Sequence, residues 1–125
     1  MENFSINYSD CNINNNNDNH EMCPMILVHK LISGKWKILI LWYLSKGSLR
    51  FSELKRNLPN VTQKMLTNQL RSLEEDNLIH RVVYPVVPPK VEYSLTEIGL
   101  KIIPLLESMH KYGEEYINEM ILQNK

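Results

Sequence analysis

A chain of 125 residues with 43% hydrophobic content suits one domain with an added helical arm, and its two cysteines, Cys11 and Cys23, exclude a disulfide framework. The longest apolar run, Ile38 to Leu44, is far below the roughly 20 residues that cross a bilayer, and the N-terminus lacks the basic and apolar regions of a signal peptide, so a cytoplasmic protein with no membrane association is expected. The formal charge of zero hides an asymmetry: residues 30–90 carry eleven Lys or Arg against four acids, residues 1–29 carry four acids and no Lys or Arg, and residues 91–125 carry three Lys and six Glu. A basic middle between acidic ends is the footprint of a polyanion-binding module.

Residues 1–21 are polar and Asn-rich, with Asn14 to Asn17 in a row. Such a stretch buries too little apolar surface to offset chain entropy, so a disordered tail is expected. Order begins at Cys23-Pro24, because proline suits the first helical position, where its missing N–H would be unpaired anyway. Met25, Leu27, Val28, Leu31 and Ile32 then make a short apolar-sided helix that ends before Gly34. Cys23 falls at that helix's N-terminus, where the dipole and free amides favour a thiolate. It is a redox-sensing candidate as well as a small packing residue. Lys35 to Gly47 (KWKILILWYLSKG) is apolar almost all round and is expected to be the central buried helix, with Trp36 and Trp42 in the core.

Ser48 to Arg50 is short and suits a small strand. Ser52 is expected to cap a helix over Glu53 to Leu58, with Leu54 and Leu58 inward and Lys55 and Arg56 outward. Pro59-Asn60 makes the turn. Thr62 caps the next helix, Thr62 to Asn77 (TQKMLTNQLRSLEEDN), and Val61 before the cap can staple against Leu66. Leu66, Leu70 and Leu73 fall on one side, while Lys64, Asn68 and Arg71 point the opposite way with Thr67 on the shoulder. Taken alone, this segment is an ordinary solvated helix. Preceded by a capped partner helix and a short turn, it becomes the second helix of a helix-turn-helix, and its front carries the side chains that pair with base edges and phosphates.

Ile79 to Tyr84 reads as a strand, Pro85 to Lys90 (PVVPPK) as a stiff loop, and Val91 to Leu95 as the returning strand. A hairpin directly after a helix-turn-helix is a wing, with Lys90 placed to reach a phosphate or the minor groove. From Thr96, an N-cap, helix resumes. Ile98, Ile102, Leu105, Met109, Tyr112, Tyr116 and Met120 recur at three- and four-residue steps, with Leu106 beside them. That is more apolar face than a small winged domain buries alone, so a partner helix is implied; Pro104 should kink or split the arm.

These readings define a mainly α fold with a small β-hairpin (α+β). Residues 22–110 form a winged helix-turn-helix and residues 96–125 an overlapping dimerisation arm. Gln63, Lys64, Thr67, Asn68 and Arg71 would read bases or clamp phosphates, with Lys35, Arg50, Ser52 and Lys90 mainly on the backbone of double-stranded DNA. The dimer contacts would come from Ile102, Leu105, Leu106, Met109, Tyr112, Tyr116 and Met120. No cofactor or metal is expected, because Cys11, His20 and Cys23 lack a second chelating pair. No paired carboxylates or nucleophile–base spacing point to an enzyme. The alternative is a winged helix used only for protein contact, which the basic middle disfavours.

The motifs CP at 23–24, GKW at 34–36, RFSEL at 50–54, LPNVTQKMLTNQLRSLEEDNLIHR at 58–81 and YPVVPPKVEYSLTEIG at 84–99 occur in order across residues 23–110. This stretch resembles the HxlR-type winged helix-turn-helix transcription regulators. The resemblance implies a homodimer held by its terminal helices, with two recognition helices on an inverted-repeat operator; a repressor is expected, and the residues themselves leave repression and activation open. It also implies that the cysteine of the CP motif, Cys23 here, answers oxidants or electrophiles in some members, alongside small-molecule effectors. Two features depart from that pattern. Val86 stands where relatives commonly carry an acid, and no cysteine follows Cys23, so a disulfide switch would draw on Cys11 or Cys23 of the partner subunit.

Overall fold

The computed structural model describes residues 23–122; the expected Asn-rich tail lies outside them. The chain divides into two compact units, Met1–Gly34 and Lys35–Lys125. The described part of the first is one helix, α1 (Pro24–Ile32), with Cys23 at its N-cap and Pro24 opening it, as the missing proline N–H allows. None of its residues is buried, and Met25 and Leu27 are exposed. Gly34 has a positive φ of 152° after the helix ends.

The second unit is organised on α2 (Lys37–Leu44), whose run of Ile and Leu gives it apolar faces all round. Ile40, Leu41 and Leu44 are buried there together with Trp36. Around α2 stand α3 (Phe51–Asn57), α4 (Gln63–Glu75) and α6 (Ile103–Tyr116), which send Leu54, then Leu66, Leu70 and Leu73, and finally Leu106 into the same core. A three-stranded antiparallel sheet closes it: β1 (Leu49–Arg50), β2 (Ile79–Tyr84) and β3 (Lys90–Leu95), in the order β1-β3-β2. The expected hairpin is therefore flanked by a third strand, with Leu49 opposite Tyr93 and Arg50 opposite Glu92. In the hairpin Ile79 faces Leu95 and Tyr84 faces Lys90, so side chains alternate, and Ile79, Tyr93 and Leu95 turn inward to the core.

Local chemistry sets the boundaries. Thr62 caps α4 through its hydroxyl, which accepts from the Met65 amide at 3.1 Å. Val61 and Leu66, the expected staple pair, are both buried. At the other end Asn77 adopts φ 61°; the Leu78 amide donates to the Leu73 carbonyl and the Asn77 amide to that of Glu74, both at 3.0 Å, the paired bonds of a Schellman closure. The cap of α3 differs from expectation. Arg50, not Ser52, is the N-cap, because the strand β1 runs directly into the helix, and Glu53 reaches back to accept from the Arg50 amide at 3.1 Å. Ser52 lies in the first turn, exposed.

The arm is split as Pro104 demands. A short α5 (Glu97–Leu100) precedes a break, and Pro104 sits in the first turn of α6, which continues as a π-helical stretch over Ile117–Leu122. Thr96 joins the arm to α4. Its hydroxyl accepts from the Gly99 amide at 3.0 Å and donates to the Asn77 carbonyl at 2.7 Å, while its own amide donates to Leu78 O at 3.1 Å. Gly99 packs so closely on the Leu78 carbonyl that any Cβ there would collide with backbone.

Candidate nucleic-acid interface

The front of α4 is the side away from Leu66, Leu70 and Leu73, and it carries two rows. Lys64 and Asn68 stand exposed on one. Gln63, Thr67 and Glu74 line the other, which forms one wall of a cleft of about 390 Å³; Arg81 and Tyr93 of the sheet form the opposite wall. Arg71 belongs to both rows: it follows Lys64 and Asn68 at helical spacing, and it lines the cleft. Among the described residues Lys64, Asn68, Arg71 and Arg81 engage in no side-chain hydrogen bond or ion pair. Their donors are therefore open to a ligand without first breaking an internal bond.

Arg50 and Ser52 are brought together with Arg56 in a shallow depression of about 490 Å³ that also contains Glu53 and Glu92. Lys35 is exposed, with its ammonium 5.2 Å from the Trp36 ring centre. Lys90 stands elsewhere than expected. It begins β3 instead of occupying the wing tip, which is 85–89, and its ammonium pairs with the Glu92 carboxylate at 2.9 Å. That hydrogen bond is the main cause that holds the Glu92 carboxyl below its ordinary value; desolvation opposes it next in size, and the charge of Lys90, the Tyr84 hydroxyl at 3.4 Å and the field of Arg50 add to the lowering. Lys90 is thus neutralised at its end of the wing, and the tip exposes Val86 and Val87.

Three residues escaped the sequence reading. Lys37 counted there only among the charges of the basic middle, yet it is 6% exposed, and its ammonium donates to Ser72 Oγ at 2.7 Å. Its position inside an otherwise apolar helix was the available signal, since a lysine there must find a partner. Nothing in the sequence pointed to Ser72 as that partner. Arg56 was read only as an outward charge and Arg81 was given no role, and only the packing of α3 and β2 shows which surfaces they share with the predicted residues.

On the arm, Leu105, Met109, Tyr112, Tyr116 and Met120 are all exposed, joined by Ile117, Ile121 and Leu122, and Ile102 is half-buried. Leu106 departs from this set: at 3% exposure it belongs to the core, against 43% for its neighbour Leu105. The helical turn carries the two in different directions. Trp42, half-buried rather than enclosed, stacks on His110 with ring centres 5.1 Å apart. Cys23 occupies the N-cap of α1; it is buried and its sulfur is disulfide-bonded, while Cys11 lies outside the described residues. No helix among the described residues is long and apolar enough to cross a membrane.

Comparison with known proteins agrees with this geometry. The profile of the HxlR-like helix-turn-helix family matches residues 31–121. The HTH-type transcriptional regulator YdeP of Bacillus subtilis is 48% identical over 104 residues, 83% of this chain and 81% of its own. An HTH-type transcriptional regulator of Methanothermobacter thermautotrophicus is 48% identical over 99 residues, covering 79% and 76%. Among solved structures, the redox regulator HypR in its oxidized form superposes with a TM-score of 0.71 at 47% identity, over 74% of this chain and 96% of that one.

Proposed function

The chain belongs to the HxlR-like helix-turn-helix family, and from that premise we propose that it is a dimeric, sequence-specific DNA-binding transcriptional regulator of the cytoplasm, acting as a repressor. One observation carries the reading: a capped helix held by three buried leucines presents Lys64, Asn68 and Arg71 outward with no side-chain partner among the described residues. Such a helix fits the major groove, where Asn discriminates bases by bidentate hydrogen bonds and Lys and Arg answer guanine or phosphate. Gln63 and Thr67 flank it at the helix start. Lys35, Arg50, Ser52 and Arg56 hold the backbone, and the wing lies against the adjacent minor groove through its apolar tip more than through Lys90, which Glu92 neutralises.

Two copies meet through the terminal helices. The apolar stripe from Leu105 to Met120 and the exposed face of α1 would cost too much left in water, and a two-fold pair of recognition helices would match an inverted-repeat operator. The proposed division of labour is a winged DNA-binding body, residues 22–110, with an overlapping dimerisation arm, 96–125. Cys23 is the proposed redox-responsive residue. The relative HypR is named a redox regulator, and a disulfide-bonded sulfur at the start of a dimerising helix would couple oxidation to the geometry of the dimer.

Selection of bound duplexes from a random pool, with reduced and with oxidised protein, tests the reading. A palindromic consensus is expected, with affinity that changes on oxidation in the wild type and not in Cys23→Ser. A winged helix used only for protein contact would enrich no sequence. If oxidation and Cys23→Ser both leave affinity and site unchanged, the thiol response is removed while DNA recognition stands.

A further inference from the structure

The cleft between α4 and the sheet is a feature that the reading helix alone does not require. Its walls bring Arg71 of the helix and Arg81 of the strand to one space of about 390 Å³, with Gln63 and Thr67 adding polar groups and Glu74 the one acid. Two guanidiniums against one carboxylate leave the cleft net positive, and neither Arg71 nor Arg81 is spent on an internal ion pair among the described residues. Arg81 is displayed there by strand register. It lies opposite Tyr93 and shares the inward face with Ile79, but one step beyond the buried core, so its side chain comes out where the sheet parts from the helix.

We propose that this cleft is the seat of a DNA backbone phosphate, and that Arg81 is a positioning residue which, with Arg71, grips that phosphate from the wing side. The inference rests on the proposed docking of α4 in the major groove and the wing in the neighbouring minor groove. In B-form DNA those two grooves are separated by one sugar–phosphate strand. A body that places one element in each must let that strand pass between them, and in this protein the passage is the cleft. Paired guanidiniums suit a phosphodiester, since each offers a planar fork of donors to its oxygens. A contact of this kind sets the depth and register of the helix without carrying base information.

The test uses the full-length protein, the operator obtained by selection, and a random duplex. Arg81→Ala should weaken binding to both duplexes by about tenfold, the scale of one charge-assisted hydrogen bond. The slope of log affinity against log salt should become shallower by about one per half-site, with base preferences unchanged. Arg81→Lys should restore most of the slope. Single neutral methylphosphonates placed along the strand between the two grooves supply a readout that does not depend on how the variants fold. One position per half-site should weaken wild-type binding, and the same substitution should cost Arg81→Ala markedly less, since only Arg71 still holds that phosphate. Wild-type affinity and slope in Arg81→Ala, or no sensitive phosphate on that strand in the wild type, would overturn the phosphate seat while DNA recognition stands. Wild-type protein that binds neither duplex in a salt-dependent way would overturn the underlying reading itself.

Discussion

At the scale of single residues, this surface is governed by which charges already have partners. Arg71 has none among the described residues and stands between the exposed row and the cleft. Arg71→Ala should therefore cost about 1–3 kcal/mol of operator affinity while leaving self-association unchanged, as read by gel-shift titration and sedimentation. Glu92 works in the opposite sense, because it consumes Lys90. Glu92→Gln should raise affinity for any duplex and steepen its salt dependence, measured by fluorescence anisotropy across a salt series. The pH behaviour follows from the lowered carboxyl pKa. The ion pair's contribution to stability is complete above the ordinary carboxylate pKa and is lost as pH falls through the lowered folded value, so the melting difference between wild type and Glu92→Gln should vanish only in that acid window. Lys37 is the buried case, tied to Ser72 at 2.7 Å. Ser72→Ala strands a buried ammonium and should cost about 1–3 kcal/mol in urea unfolding, whereas Lys37→Met, which removes the charge and keeps the stem, should cost less.

At the scale of elements, most starts and stops were legible because they are decided within a few residues. Thr62 before a leucine stripe, Asn77 after it, Pro24 at a helix start and Pro104 inside an apolar repeat each act on the backbone next to them. Arg50 was not legible as a cap. Ser52 has the better intrinsic cap chemistry, but the pairing of Leu49 and Arg50 with β3 extends the chain up to residue 50 and starts the helix two residues earlier. Thr96 shows an element boundary acting at a distance, since its hydroxyl bonds both the first turn of α5 and the closing turn of α4. Thr96→Val keeps the shape and removes both bonds. It should lower stability by about 1–3 kcal/mol in thermal or urea unfolding, and hydrogen exchange should quicken at the α4 C-terminus as well as in α5.

At the scale of the whole molecule, the arm turns one face to its own core and the other outward. Leu106 anchors it, and the stripe through Met109, Tyr112 and Tyr116 is exposed, the face proposed above to take a second copy. Tyr116→Asp should dissociate the proposed dimer in sedimentation. It should also reduce operator affinity by roughly a hundredfold or more, because a monomer loses the effective concentration that links two half-sites. The same variant should bind an isolated half-site much as the wild type does.

The sequence by itself determined the order of elements, the helix-turn-helix, the wing, and the leucines that hold α4, because periodicity and capping are local and the core-facing side of a helix follows from its spacing. Only the tertiary structure decided which charges are available. Lys37 and Lys90 look like Lys64 when written in a row, yet one is sunk beside Ser72, one is neutralised by Glu92, and one stands open. Whether a charge is free depends on what packs beside it from distant parts of the chain. The register of β2 on β3 and the approach of the sheet to α4 therefore revealed Arg81 beside Arg71, a pairing that composition does not show.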